Sequence, residues 1–126
     1  MSSPLDIHQY VQAWRERLAA QESWEQDRAL YLRQVAQDCA RHLVQEFGAN
    51  KVYLFGSLVQ GDFVHARSDI DLAVEGLEGR LYWKALSALW ALLPAGTELD
   101  LIRLERAWPG LAERVRVEGE LLDVAA

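Results

Sequence analysis

Apolar residues recur along this chain with two different periods, and the switch between them outlines its elements. Ile7, Tyr10, Val11, Trp14 and Leu18 are spaced by three, one, three and four residues, which gathers them on one helical face. Ser3-Pro4 supplies a capping residue and a proline at the first helical position, so the first helix is predicted to run to about Ala20. Ser23 with Gln26 matches a capping box. It predicts a second, longer helix on Tyr31, Val35, Cys39, Leu43 and Phe47, with Gly48 placed where a helix-ending glycine belongs.

Beyond Gly48 the pattern shortens. Lys51–Phe55 is a nearly continuous apolar run, predicting a strand buried on both faces. Residues 57–61 read as a short helical turn and 62–68 as a connecting loop. Ile70, Leu72 and Val74 then alternate with other residues, predicting a strand over 69–75. Leu81, Tyr82, Ala85, Leu86, Leu89 and Leu93 restore the helical period until Pro94 and Gly96 stop it. A third strand is expected over 98–103, a fourth helix around Leu111 and Val115 ending near Gly119, and a last short strand over 121–124. This order predicts an α+β fold, a small mixed β-sheet with helices packed on it and a helical extension at the N-terminus. The strands flanking the 81–93 helix should be parallel, joined by a right-handed crossover.

Composition narrows the function classes. The 126 residues suit one hydrophobic core, and 51% hydrophobic with 25% charged residues is ordinary for a soluble globular protein. A single cysteine, Cys39, rules out an internal disulfide and fits a reducing compartment. The N-terminus lacks a signal-peptide pattern and the most apolar helix carries Lys84, so the expected location is cytoplasmic with no membrane partner. A net charge of −6 argues against sequence-independent binding to DNA.

The chemistry is concentrated in three places. Gly56-Ser57 ends the first strand, where glycine lets a backbone approach phosphate and the next N–H and hydroxyl groups can donate to it. Asp69 and Asp71 stand two apart in a strand and share a face. Asp100, between Leu99 and Leu101, is a third acid on the expected neighbouring strand. Carboxylates at the mouth of an apolar sheet call for a cation, and Mg²⁺ is the natural hard-oxygen candidate. Glu98 shares the Asp100 face and reads first as an exposed acid. His65 and Arg67 read as solvated loop residues, His8 and His42 as helix-surface residues, and Cys39 as a buried apolar group.

Taken together, Gly56-Ser57, Gly61-Asp62, Ser68-Asp69-Ile70-Asp71 and Leu99-Asp100-Leu101 resemble the DNA polymerase β-like nucleotidyltransferase superfamily. Within it, the chain resembles the minimal nucleotidyltransferases that act as antitoxins to HEPN toxins. The resemblance implies a nucleotidyltransferase domain over 35–126, preceded by a helical extension over 1–34. It implies that Asp69, Asp71 and Asp100 are catalytic and hold two Mg²⁺ ions, with Gly56 and Ser57 on the nucleotide phosphates. The implied activity is transfer of AMP from ATP to a hydroxyl, tyrosine by the family pattern, on a partner HEPN toxin. A contact-only inhibitor and a small-molecule nucleotidyltransferase are the competing readings. The apolar stripes of both N-terminal helices read first as core packing; the first of them lies outside the resembling region, and partner binding or oligomer formation is the second reading of it.

Overall fold

A computed structural model describes residues 7–56 and 68–124. Their elements follow in the order α1 (Ile7–Phe47), β1 (Lys51–Phe55), β2 (Ile70–Glu75), α2 (Tyr82–Leu92), β3 (Leu99–Arg103), α3 (Pro109–Glu118) and β4 (Glu120–Leu121). Single 3₁₀ turns, Gly79–Leu81 and Leu104–Arg106, precede α2 and follow β3. The expected turn at 57–61, and most of the loop after it, lie outside the described residues.

The N-terminal reading needs one correction. Two helices were expected, with a break between Ala20 and Ser23, whereas α1 is one helix of 41 residues. A capping box marks a possible start but does not force a stop. No glycine or proline occurs between Leu5 and Phe47, and Ala19-Ala20-Gln21-Glu22 are good helix formers. The chain divides into two units, Met1–Tyr31 and Leu32–Ala126. In the first, none of the residues from Ile7 to Tyr31 is buried.

The second unit is built on a mixed sheet, ordered β3-β2-β1-β4. β1 is antiparallel to both β2 and β4, while β2 and β3 are parallel, as the intervening helix requires. Alternation along the strands supplies two apolar faces. Val52 and Leu54 of β1, Ile70, Leu72 and Val74 of β2, and Leu101 of β3 pack with Leu32, Val35, Ala36, Cys39 and Leu43 of α1 and with Ala85, Leu86 and Leu89 of α2. The opposite face joins Tyr53 and Ala73 to Leu104 and to Ala112 and Val115 of α3. Burial, with Asp38 nearby, pushes the Cys39 thiol up to about 12, so it is an inert core group. Short tethers close the edges. Arg33 forms an ion pair with Glu120 of β4, Gln37 donates to the Asp123 carbonyl at 2.6 Å, and Arg116 reaches Glu75 at 3.1 Å. Among the described residues, no helix is long and apolar enough to cross a membrane.

Candidate active site

The candidate site lies where β1 ends and where β2 and β3 begin. Two register relations build it: Phe55 lies opposite Asp71, and Asp71 lies beside Asp100. In-register partners on parallel strands share a face, so Asp71 and Asp100 both lie on the Ala73–Ile102 side of the sheet. Their surroundings differ. Asp71 is only 6% exposed, whereas Asp100 is open to solvent.

Asp71 is the unusual residue. It is the only charged or polar residue among the described ones that is buried, and its Oδ2 has no hydrogen-bond partner among them. Burial foremost, then the Asp100 charge and more weakly Asp69, push its carboxyl up to about 6; a hydrogen bond from Ser68 opposes them. An orphaned carboxylate oxygen in a nearly dry position signals a missing cation or proton.

Gly56 explains how Asp71 fits. Its φ is +82°, and a Cβ built on it would sit 2.4 Å from Asp71 Oδ2. Any side chain would therefore meet both an unfavourable left-handed backbone and the carboxylate itself. A small cavity of about 110 Å³ lies between Phe55-Gly56 and α3, with Arg114 and Glu118 on its wall. Arg114 Nε is bonded to Glu118 there at 2.8 Å. A larger groove of about 440 Å³ follows β3 between Trp83 and Trp108, with Tyr82, Leu101 and Ile102 in its lining.

Asp69 departs from expectation. It sits one position before β2, and its Oδ2 accepts the Glu98 backbone N–H at 3.0 Å. The Glu98 carbonyl in turn accepts the Asp69 and Ile70 N–H groups, at 3.0 and 3.1 Å. Asp69 thus fastens the entry of β2 to the entry of β3, and Glu98 matters through its backbone. Among the described residues, no three His, Cys, Asp or Glu side chains are grouped closely enough to hold a metal ion. Asp71 and Asp100 are brought together; Asp69 is beside them in the fold, with its carboxylate engaged by Glu98. Ser57, His65 and Arg67 lie outside the described residues.

Two neighbours have no role assigned from the sequence. Ser68 bonds to Asp71, and its place one residue before the Asp-x-Asp was the available signal. Tyr82, counted among the apolar residues of a helix face, donates its hydroxyl to the Leu101 carbonyl at 2.6 Å. Burial and then the Asp100 charge raise its pKa. No periodicity could reveal that bond, because it depends on α2 crossing the free edge of β3.

The oxygen-only donor set of Asp71 and Asp100, with a buried oxygen that has no partner among the described residues, fits a hard divalent cation. A toxin–antitoxin structure with AMP-PNP is 28% identical with a TM-score of 0.54, over 71% of this chain and 73% of that one. A mutant of the MntA–HpeT toxin–antitoxin is 26% identical with the same score and coverage, and the MntA–HepT toxin–antitoxin is 25% identical with a TM-score of 0.51, over 73% of each chain. No curated protein matches the chain. The family model described as polymerase beta, nucleotidyltransferase matches residues 37–123, well over half of the chain and all of the sheet. With that match and the carboxylate pair at the sheet's mouth, this chain belongs to the polymerase β nucleotidyltransferase family and is a nucleotidyltransferase.

Proposed function

We propose that this protein transfers AMP from ATP to a hydroxyl of a partner toxin, tyrosine by preference, and so acts as an antitoxin. The observation that carries the reading is Asp71: buried, without a partner at Oδ2 among the described residues, and in register with Asp100. The likeness to toxin–antitoxin structures, one with AMP-PNP, supports the partner and nucleotide classes. We read residues 1–34 as an extension to a catalytic domain over 35–126, in the cytoplasm.

In this reading the acceptor oxygen attacks the α-phosphorus in line. The bond from that phosphorus to the bridging oxygen breaks, and pyrophosphate departs with the electron pair. The protein contributes position and charge more than covalent chemistry. Asp71 and Asp100, with Asp69, are the residues that would hold Mg²⁺. When bound, Mg²⁺ neutralises phosphate charge and makes the attacking hydroxyl more acidic. Asp100, the exposed member of the pair, is assigned the hydroxyl proton in this reading. Gly56, bare of a side chain, and Ser57 after it are assigned to the β- and γ-phosphates.

A contact-only antitoxin is the second reading. The engagement of Asp69 by the Glu98 N–H, and the absence of a three-carboxylate group among the described residues, favour it. Incubating the protein with α-labelled ATP, Mg²⁺ and its partner toxin separates the two. Label on the toxin is expected, with loss of toxicity in step. A toxin that is silenced but unlabelled would mean inhibition by contact.

A further inference from the structure

Residues 7–31 lie before the family match, and their large side chains are open to water. Ile7 is 74% exposed, Tyr10 65%, Trp14 59%, Trp24 63% and Tyr31 57%. These positions follow a heptad. Ile7, Trp14, Gln21 and Arg28 recur every seven residues, and Tyr10, Arg17, Trp24 and Tyr31 follow each by three. Such a repeat is the seam of a helix that packs lengthwise on another helix. An exposed run of aromatic side chains at this spacing, interrupted by Arg17, Gln21 and Arg28, marks an interaction surface.

The polar members of the seam identify the occupant. If two copies paired in parallel and in register, Arg17 would face Arg17 and Arg28 would face Arg28 across the contact. Antiparallel pairing carries the two Arg28 to opposite ends and offsets the two Arg17 into neighbouring layers. It sets Ile7 against the second copy's Tyr31, Tyr10 against Arg28, Trp14 against Trp24, and Arg17 against Gln21. Every layer is then apolar, aromatic, cation on ring, or hydrogen-bonding. Arg28 already lies on this side of the helix, with its guanidinium carbon 5.9 Å from the Trp24 ring centre. At the centre Leu18 meets Leu18 on one flank and Ala20 meets Ala20 on the other, residues that let the helices close. Four aromatic residues from each copy, each able to bury ~150–250 Å², supply on the order of the 1,000 Å² that a specific interface needs.

We infer that residues 7–31 pair antiparallel with the same segment of a second copy of this chain. The experiment uses the full chain. Sedimentation at tens of micromolar should show a dimer. Trp14→Glu together with Trp24→Glu, both at exposed positions, should raise its dissociation constant by more than about 30-fold, the scale of losing aromatic anchors. Circular dichroism should show the helix content of that variant unchanged. Mild oxidation should link Leu18→Cys into a dimer and leave Ile7→Cys unlinked, since the two copies of residue 7 lie at opposite ends; buried Cys39 stays silent in both. A monomeric parent would overturn the inference, as would a dimer that survives both glutamates. Efficient linking through Ile7→Cys would replace the antiparallel arrangement with a parallel one.

Discussion

Replacing Asp71 with Asn tests whether the buried carboxylate is kept for chemistry at the expense of stability. Burial and its acidic neighbours raise its carboxyl from 3.8 to about 6. At neutral pH the ionised folded state is thereby destabilised by at most ~3 kcal/mol relative to an unfolded chain. The site borders solvent at Asp100, and screening brings the realistic figure to ~1–2 kcal/mol. Asn keeps the shape and the Ser68 contact but carries no charge. In metal-free buffer at neutral pH, the variant should therefore melt roughly 3–8 °C above the parent.

The sign also fixes the pH dependence. A raised carboxyl pKa favours the protonated folded state, so its penalty is absent below the unfolded value of 3.8. It grows as pH rises through that value and is complete above about 6. The two melting curves should coincide near pH 4 and separate between there and about pH 6.5. Mg-ATP should reverse the ranking. At a hundredfold excess over Kd, ligand stabilises the parent by ~2.7 kcal/mol, while the Asn variant should gain little and transfer almost no nucleotide. A variant that melts below the parent at neutral pH without metal would falsify the reasoning. Asp71 would then be a structural hydrogen-bonding residue.

Three further outcomes follow from the geometry. Gly56→Ala should cost ~2–4 kcal/mol in chemical denaturation, since a left-handed backbone and a Cβ 2.4 Å from Asp71 Oδ2 act together. In an Asp71→Gly background only the backbone share of ~1–2 kcal/mol should remain; strictly additive costs would refute the contact. Tyr82→Phe should lower stability by ~1 kcal/mol, because it strips the Leu101 carbonyl of its donor. Mg-ATP stabilisation should be unchanged by it, and a loss there would assign Tyr82 to the site. Deleting residues 1–24, of which the described ones are all exposed, should leave the melting temperature within about 3 °C of the parent; global unfolding would show the N-terminal seam to be core.

The strand pattern and the site were legible to different depths, for physical reasons. Alternation fixes a face, so Asp71 could be assigned opposite Ile70, Leu72 and Val74 before any fold was known. The helix between two strands implied that they run parallel, which brought Asp100 to Asp71. Neither rule reaches past a strand end. Asp69 precedes β2 by one residue, so its carboxylate follows the backbone of Glu98, which no spacing encodes. A capping box allows a helix to start but does not interrupt one already running, so the Ser23–Gln26 pattern does not distinguish two helices from one of 41 residues.

Gly56 shows why motif reading and geometry must be kept apart. Its place before Ser57 suggests a phosphate-binding glycine, yet the fold requires it for a second reason: nothing larger fits beside Asp71. Loss of activity in Gly56→Ala alone would therefore not distinguish a lost phosphate contact from a displaced carboxylate. The Asp71→Gly background separates the two roles for stability, and nucleotide binding separates them for function. If the glycine serves phosphate, Gly56→Ala should weaken ATP binding even where the carboxylate contact has been removed. If it serves only the carboxylate, adding Gly56→Ala to Asp71→Gly should leave the remaining ATP affinity unchanged. Isothermal titration of the two proteins decides between them.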